Sequence, residues 1–160
     1  DSEVAAAAGF AEWIYRAPNL PERQAMVRIV AEKLDHAGQV LDLLRPFGVV
    51  PELYLQSYPW AARINREVDL GLRRIPGDKR LNVFHYPLQS WADALLVDFL
   101  VGQSLALQLR DLADSSYAPL AAIIDRMAVR EAILASLAEP MLRAALERPG
   151  GKSVVQTALN

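Results

Sequence analysis

The chain contains no cysteine. That excludes a disulfide framework, a thiolate metal site and a cysteine nucleophile. Histidine is scarce as well, with only His36 and His85, and no Gly-x-Ser-x-Gly segment is present. A Ser-His-Asp hydrolase therefore cannot be assembled, and no catalytic residue is assigned. The formal net charge is only −2, which removes any broad electrostatic attraction for nucleic acid. No strand pattern exceeds Val49-Val50, and no internal repeat is visible. The longest apolar stretch, Ala92 to Leu109, is interrupted by Asp93, Asp98, Gln103 and Gln108. A bilayer span needs ~18–20 apolar residues, so no membrane crossing is expected. No secretory signal is apparent, and a cysteine-free chain suits a reducing cytoplasm. The chain opens at Asp1 instead of Met, as expected of a piece of a longer sequence.

What is present is helical. The chain has 160 residues, 52% apolar and 22% charged, enough for one domain that buries roughly two-thirds of its extended surface. Ser2 is placed to cap a helix from Glu3 to about Arg16, stopped by Pro18. Leu20-Pro21-Glu22 restarts the chain with Pro in the first turn. Met26, Ile29, Val30, Leu34, Val40, Leu41 and Leu44 then recur at helical spacing, up to Pro46 and Gly48. Pro51 to Ile75 reads as one or two short helices broken at Pro59, and Pro76-Gly77-Asp78 as a turn. Ser90 caps a third long helix, Trp91 to about Ala113, and a fourth runs from Leu120 to about Leu146 with a kink at Pro140. The expected fold is all-α: a ferritin-like four-helix bundle with additional short helices over residues 1–148, followed by a polar tail at 149–160. The long 49–87 segment suits the crossover that such bundles require.

Two spacings stand out. Lys33 and His36 lie three residues apart on one predicted helix, and Glu131 and Leu134 three apart on another. This is the spacing of the Glu-x-x-His pair, which carboxylate bundles use twice to hold two metal ions. Each pair is half broken. Glu3, Asp98 and Gly102 complete the set expected to face inward. Two irons would need acids to balance about four positive charges. An ammonium in the same pocket costs several kcal/mol unless acids pair with it. Lys33 is therefore expected to form a buried ion pair with Glu131 or Glu3, with His36 hydrogen-bonded alongside. The competing expectation is a solvated Lys33 and a Glu3 that merely complements the helix dipole.

Two stretches resemble a known family. Glu12-Trp13-Ile14-Tyr15-Arg16-Ala17-Pro18 is followed by the helix carrying His36. Phe84-His85-Tyr86-Pro87-Leu88-Gln89-Ser90-Trp91-Ala92-Asp93 is followed by the Ser116-Tyr117-Ala118-Pro119 loop. Both are similar to the phenylacetate-catabolism family of ferritin-like proteins, the subunits of phenylacetyl-CoA epoxidase. The resemblance implies a di-iron oxygenase ancestry. Its ligand positions fall on Glu3, Lys33, His36, Gly102, Glu131 and Leu134, with Asp98 one turn from Gly102 as a displaced acid. Lys33, Gly102 and Leu134 depart from the ligand pattern. The implied function is a structural partner subunit without a metal or other cofactor, the alternative being a divergent di-iron or single-metal oxygenase that uses iron on an aromatic acyl-CoA. A third possibility is that the emptied pocket binds a small acid or an acyl-CoA without chemistry.

Other candidates are weaker. Arg73, Arg74, Lys79 and Arg80 form a basic cluster that could contact coenzyme A phosphates, although a solvated loop is the commoner outcome. His85 is expected to be exposed. Gly150-Gly151-Lys152-Ser153 lacks the spacing and preceding strand of a phosphate loop. Trp13, Trp60 and Trp91 read as core or interface anchors. A homodimer or a heteromer with a related ferritin-like subunit is expected, through the face carrying Leu95, Leu96, Phe99, Leu100, Leu105 and Leu109.

Overall fold

A computed structural model describes residues 1–64 and 77–159. Six α-helices account for most of them: α1 Ser2–Ala11, α2 Leu20–Leu44, α3 Pro51–Gln56, α4 Trp91–Leu112, α5 Ala118–Glu147 and α6 Gly151–Leu159. Short 3₁₀ turns lie at Arg45–Phe47 and Asn82–His85. Among the described residues there is no strand. The fold is all-α, with the long helices of the ferritin-like class. The chain divides into two compact units, Asp1–Ile14 with Met26–Pro87, and Tyr15–Ala25 with Leu88–Asn160.

The first unit is built on α1 and on α2 from Met26 onward. The α1 helix is alanine-rich, and Val4, Ala5, Ala6, Ala7 and Phe10 are buried along with Met26, Ile29 and Trp60. Ser2 does not cap it. Its Oγ accepts from the Leu81 amide at 3.0 Å, and the capping position passes to Asp1, whose side chain is turned away from the helix. The Asp1 carboxylate accepts from the Tyr54 hydroxyl at 2.5 Å and the Lys79 amide at 2.8 Å. The helix also ends at Ala11, earlier than its apolar pattern suggested. The α2 helix ends as its sequence indicates: Pro46 lies in the 3₁₀ turn, and Gly48 closes it at φ +83°, where a Cβ would be strained.

The second unit holds α4, α5 and α6. Ser90 caps α4, its Oγ accepting from the Asp93 amide at 3.0 Å, while the Asp93 carboxylate accepts from the Gln89 amide at 2.8 Å. The Ser90–Asp93 bond is one half of a capping box, while the Asp93 carboxylate reaches one residue beyond the N-cap. The α5 helix runs on through Pro140. Where the sequence reads as a polar tail, the structure has α6. Val155 packs with Ala92 and Leu96, joined by Leu142, Leu146 and Ala158. The turn is tight: a Cβ at Gly151 would stand only 2.0 Å from the Ala145 carbonyl.

Two expectations concern α4. By length and composition it is apolar enough to cross a membrane. Half of its most apolar window is nevertheless buried within the protein, as in a core helix. Of the face expected to pair, Leu95, Leu96 and Leu109 are buried, Phe99 and Leu105 half-buried and Leu100 exposed.

Candidate functional site

In the first unit, α1 carries Glu3 in its first turn, and α2 carries Lys33 and His36. Lys33 Nζ lies 3.6 Å from Glu3 Oε2, with the Lys33 side chain 3% exposed and that of Glu3 15% exposed. The expected ion pair is therefore present, with Glu3 as the acid, and the solvated alternative for Lys33 is excluded. One turn on, His36 is fully buried. An ammonium beside a carboxylate supplies positive charge at the position where the family pattern has an anionic ligand. It is held there by covalent attachment to α2.

In the second unit, Glu131 on α5 is fully buried and Asp98 on α4 is 2% exposed. Gly102 is packed against α5. A Cβ there would come 3.3 Å from Ala135 Cβ and 3.9 Å from Glu131 Oε2. The helix backbones thus approach closely at the position that would carry the third-helix acid. Leu134 is buried too, an apolar side chain where the pattern has an imidazole.

Of the six ligand positions that the resemblance implies, three hold an amine, no side chain and an aliphatic group. Glu3 is already engaged with Lys33, and Gly102 has a neighbour pressed close to it. Lys33, Gly102 and Leu134 offer neither a carboxylate nor an imidazole.

The basic cluster is divided. Arg73 and Arg74 lie outside the described residues. Lys79 is exposed. Arg80 is buried, with Nη2 2.7 Å from Asp78 Oδ2 and Nε 2.9 Å from the same oxygen. Its Nη1 donates to the Trp60 carbonyl at 3.1 Å. Arg80 is thus spent on a structural contact. Burial pushes the Asp78 carboxyl up, but the hydrogen bonds and charge of Arg80, helped by His85, hold it below its usual value. His85 is buried, contrary to expectation. It lies in the 82–85 turn, and its carbonyl accepts from the Ile64 amide at 2.8 Å.

Sequence reasoning missed two polar devices. Arg63 donates to the Trp60, Ala62 and Ala5 carbonyls at 2.7, 3.0 and 3.1 Å. It crosses Gly9, where a Cβ would stand 2.6 Å from Nη2. No local pattern signals such a contact. Glu22 is the second. Its carboxylate accepts from Trp91 Nε1 at 2.7 Å, Asn19 Nδ2 at 2.9 Å and Arg148 Nη2 at 2.5 Å. Asn19 in turn accepts from the Glu22 amide at 2.9 Å. The Asn-x-x-Glu spacing is a capping-box signal that was there to be read. It explains the Trp of the Ser-Trp-Ala-Asp run as a structural residue.

No curated protein sequence matches the chain. A family model does, that of the phenylacetic acid catabolic protein, over residues 1–134. The match spans α1 to α4 and more than half of α5, including every position compared above. The chain belongs to the phenylacetic acid catabolic protein family.

Proposed function

We propose that this chain is a ferritin-like member of the phenylacetate-catabolism family that has lost its di-iron site and serves as a non-catalytic structural partner of a catalytic ferritin-like subunit. One observation carries the proposal: a buried lysine is paired with the first-helix glutamate. Burying an ammonium costs several kcal/mol, and Lys33 could extend its four-carbon stem toward water instead. Its retention beside Glu3 favours a site rebuilt around a fixed cation. The packing of α4 on α5 at Gly102 supports the same reading. A cytoplasmic location and assembly with a related subunit belong to this proposal.

The test is elemental analysis of protein produced with ample iron. Sub-stoichiometric iron and no dependence of stability on added iron are expected. Two tightly bound irons per chain would overturn the proposal.

A second reading keeps one metal ion. Its candidate ligands are the acids Glu3, Asp98 and Glu131 and the imidazole of His36. It predicts one iron per chain, lost in His36→Ala. On that reading the chain acts as a divergent oxygenase on an aromatic acyl-CoA such as phenylacetyl-CoA. A coenzyme A contact would draw on Arg73, Arg74 and Lys79, since Arg80 is held by Asp78.

A further inference from the structure

Three α4 leucines, Leu95, Leu96 and Leu109, are buried, and an open apolar face lies on α2. Val27, Ala31, Leu34 and Gly38 follow the i, i+4, i+7, i+11 spacing of a single helix face. All four are exposed, Val27 at 46% and Leu34 at 52%. A Cβ built at Gly38 meets nothing within 4 Å, so the stripe ends in an open notch. Leu34 also lines an apolar groove of about 450 Å³ shared with Val30 and with Ala7 and Ala11 of α1. Arg28 and Asp35 stand seven residues apart on one flank of the stripe, both exposed. Arg28 has no acidic partner among the described residues. Asp35 accepts from Gln39 Nε2 at 2.7 Å.

These positions are complementary to themselves. Place a second α2 antiparallel to the first, with a twofold axis beside residues 32 and 33. Val27 then falls opposite Gly38, and Leu34 opposite Ala31. Each layer sets a large side chain against a small one, as knobs-into-holes packing requires. The same axis brings each flank against its own copy. Arg28 of one chain meets Asp35 of the other, and the symmetry makes that pair twice. We propose that the Val27–Gly38 face of α2 is an isologous dimer interface, and that its occupant is a second copy of this chain. The proposal does not depend on whether the protein holds a metal.

Sedimentation equilibrium of the full chain at micromolar concentration tests it. A dimer is expected. Val27→Glu should convert it to a monomer with an unchanged far-ultraviolet circular dichroism spectrum. Asp35→Arg should weaken dimerisation about tenfold or more by opposing like charges. Adding Arg28→Asp to that variant should restore it, an outcome that damage to folding would not produce. A wild-type monomer, a dimer indifferent to Val27→Glu, or a charge swap that fails to restore affinity would overturn the proposal. So would a complex that forms through this face only with a different ferritin-like subunit.

Discussion

Glu3 and Glu22 are both glutamates in the first turn of a helix, and each is answered by a cation, but the two pairs are built the opposite way round. At Glu22 the acid is buried and the cation, Arg148, is 38% exposed. Three donors on three separate segments converge on that carboxylate. At Glu3 the acid is the more exposed partner and the amine is buried. The separation is longer, at 3.6 Å against 2.5 Å. A carboxylate that ties together a helix cap, an indole and a distant arginine has an evident structural purpose. Burying an ammonium beside an acid 3.6 Å away is a costly way to join two helices. The contrast sets a polar contact retained for the fold beside the one on which the proposed loss of a metal site rests.

The most severe way to break the contrast is Lys33→Glu. It sets a second carboxylate beside Glu3 in a buried position and leaves both without the amine. Like charges raise each other's pKa and oppose ionisation. A loss of about 3–5 kcal/mol is expected in metal-free protein, read as the midpoint of chemical denaturation. Because the change restores one ligand position, added iron(II) or manganese(II) should raise the melting temperature of Lys33→Glu and leave that of the parent unchanged. A parent stabilised as much as the variant would contradict the idea that the amine stands in for metal.

Glu22→Ala should cost less, about 2–3 kcal/mol, because it strands the half-buried Trp91 N–H while Arg148 can turn to solvent. Trp91→Phe removes only that donor and should cost about 1 kcal/mol. Neither change should alter the response to metal. If Glu22→Ala did alter it, the two glutamates would not be independent devices.

The Asp78–Arg80 pair gives a pH-dependent comparison. The Asp78 carboxyl is held below its usual range. Its contribution is therefore complete above the ordinary carboxylate pKa of about 3.9 and is lost as pH falls through the lowered folded value. Stability measured from pH 7 down to about pH 3 should decline in the parent. The gap between parent and Asp78→Asn should narrow over that range. A gap constant with pH would mean that Asp78 contributes by packing alone.

The helices were legible because their signals are local. Pro21, Gly48, Ser90 and the apolar period of α2 each act within a few residues, and the structure places the boundaries close to where those signals fall. Lys33 was legible for a different reason: an interrupted Glu-x-x-His spacing directs attention to the substituted position. The first turn of α1 was misread because Asp1 and Ser2 bond to residues 54, 79 and 81, distant partners that outcompete a local cap. His85 was misread as exposed because burial of a loop residue depends on what packs over it, which adjacent sequence does not encode. Arg63 and Arg80 were invisible as structural residues for the same reason, their acceptors being backbone carbonyls common to every residue. The C-terminal helix was missed because Gly151, Lys152 and Ser153 lower its apparent propensity, while its stability comes from Val155 packing on Ala92 and Leu96.

Gly102 supplies the smallest expected effect. Alanine is favoured over glycine within a helix by about 1 kcal/mol, but the added Cβ would stand 3.3 Å from Ala135 Cβ, tighter than relaxed packing. The two terms oppose each other, so Gly102→Ala should lie within about 1 kcal/mol of the parent. Adding Ala135→Gly should relieve the contact and improve the pairing of the two changes beyond the sum of the singles, which a double-mutant cycle would register. Gly102→Glu is different in kind. Its side chain must pass the same neighbour and bring a charge toward Glu131, so it should be clearly worse than Gly102→Ala. If Gly102→Glu instead matched Gly102→Ala in stability, the third-helix acid position would still be open. The proposed loss of the metal site would then rest on Lys33 and Leu134 alone.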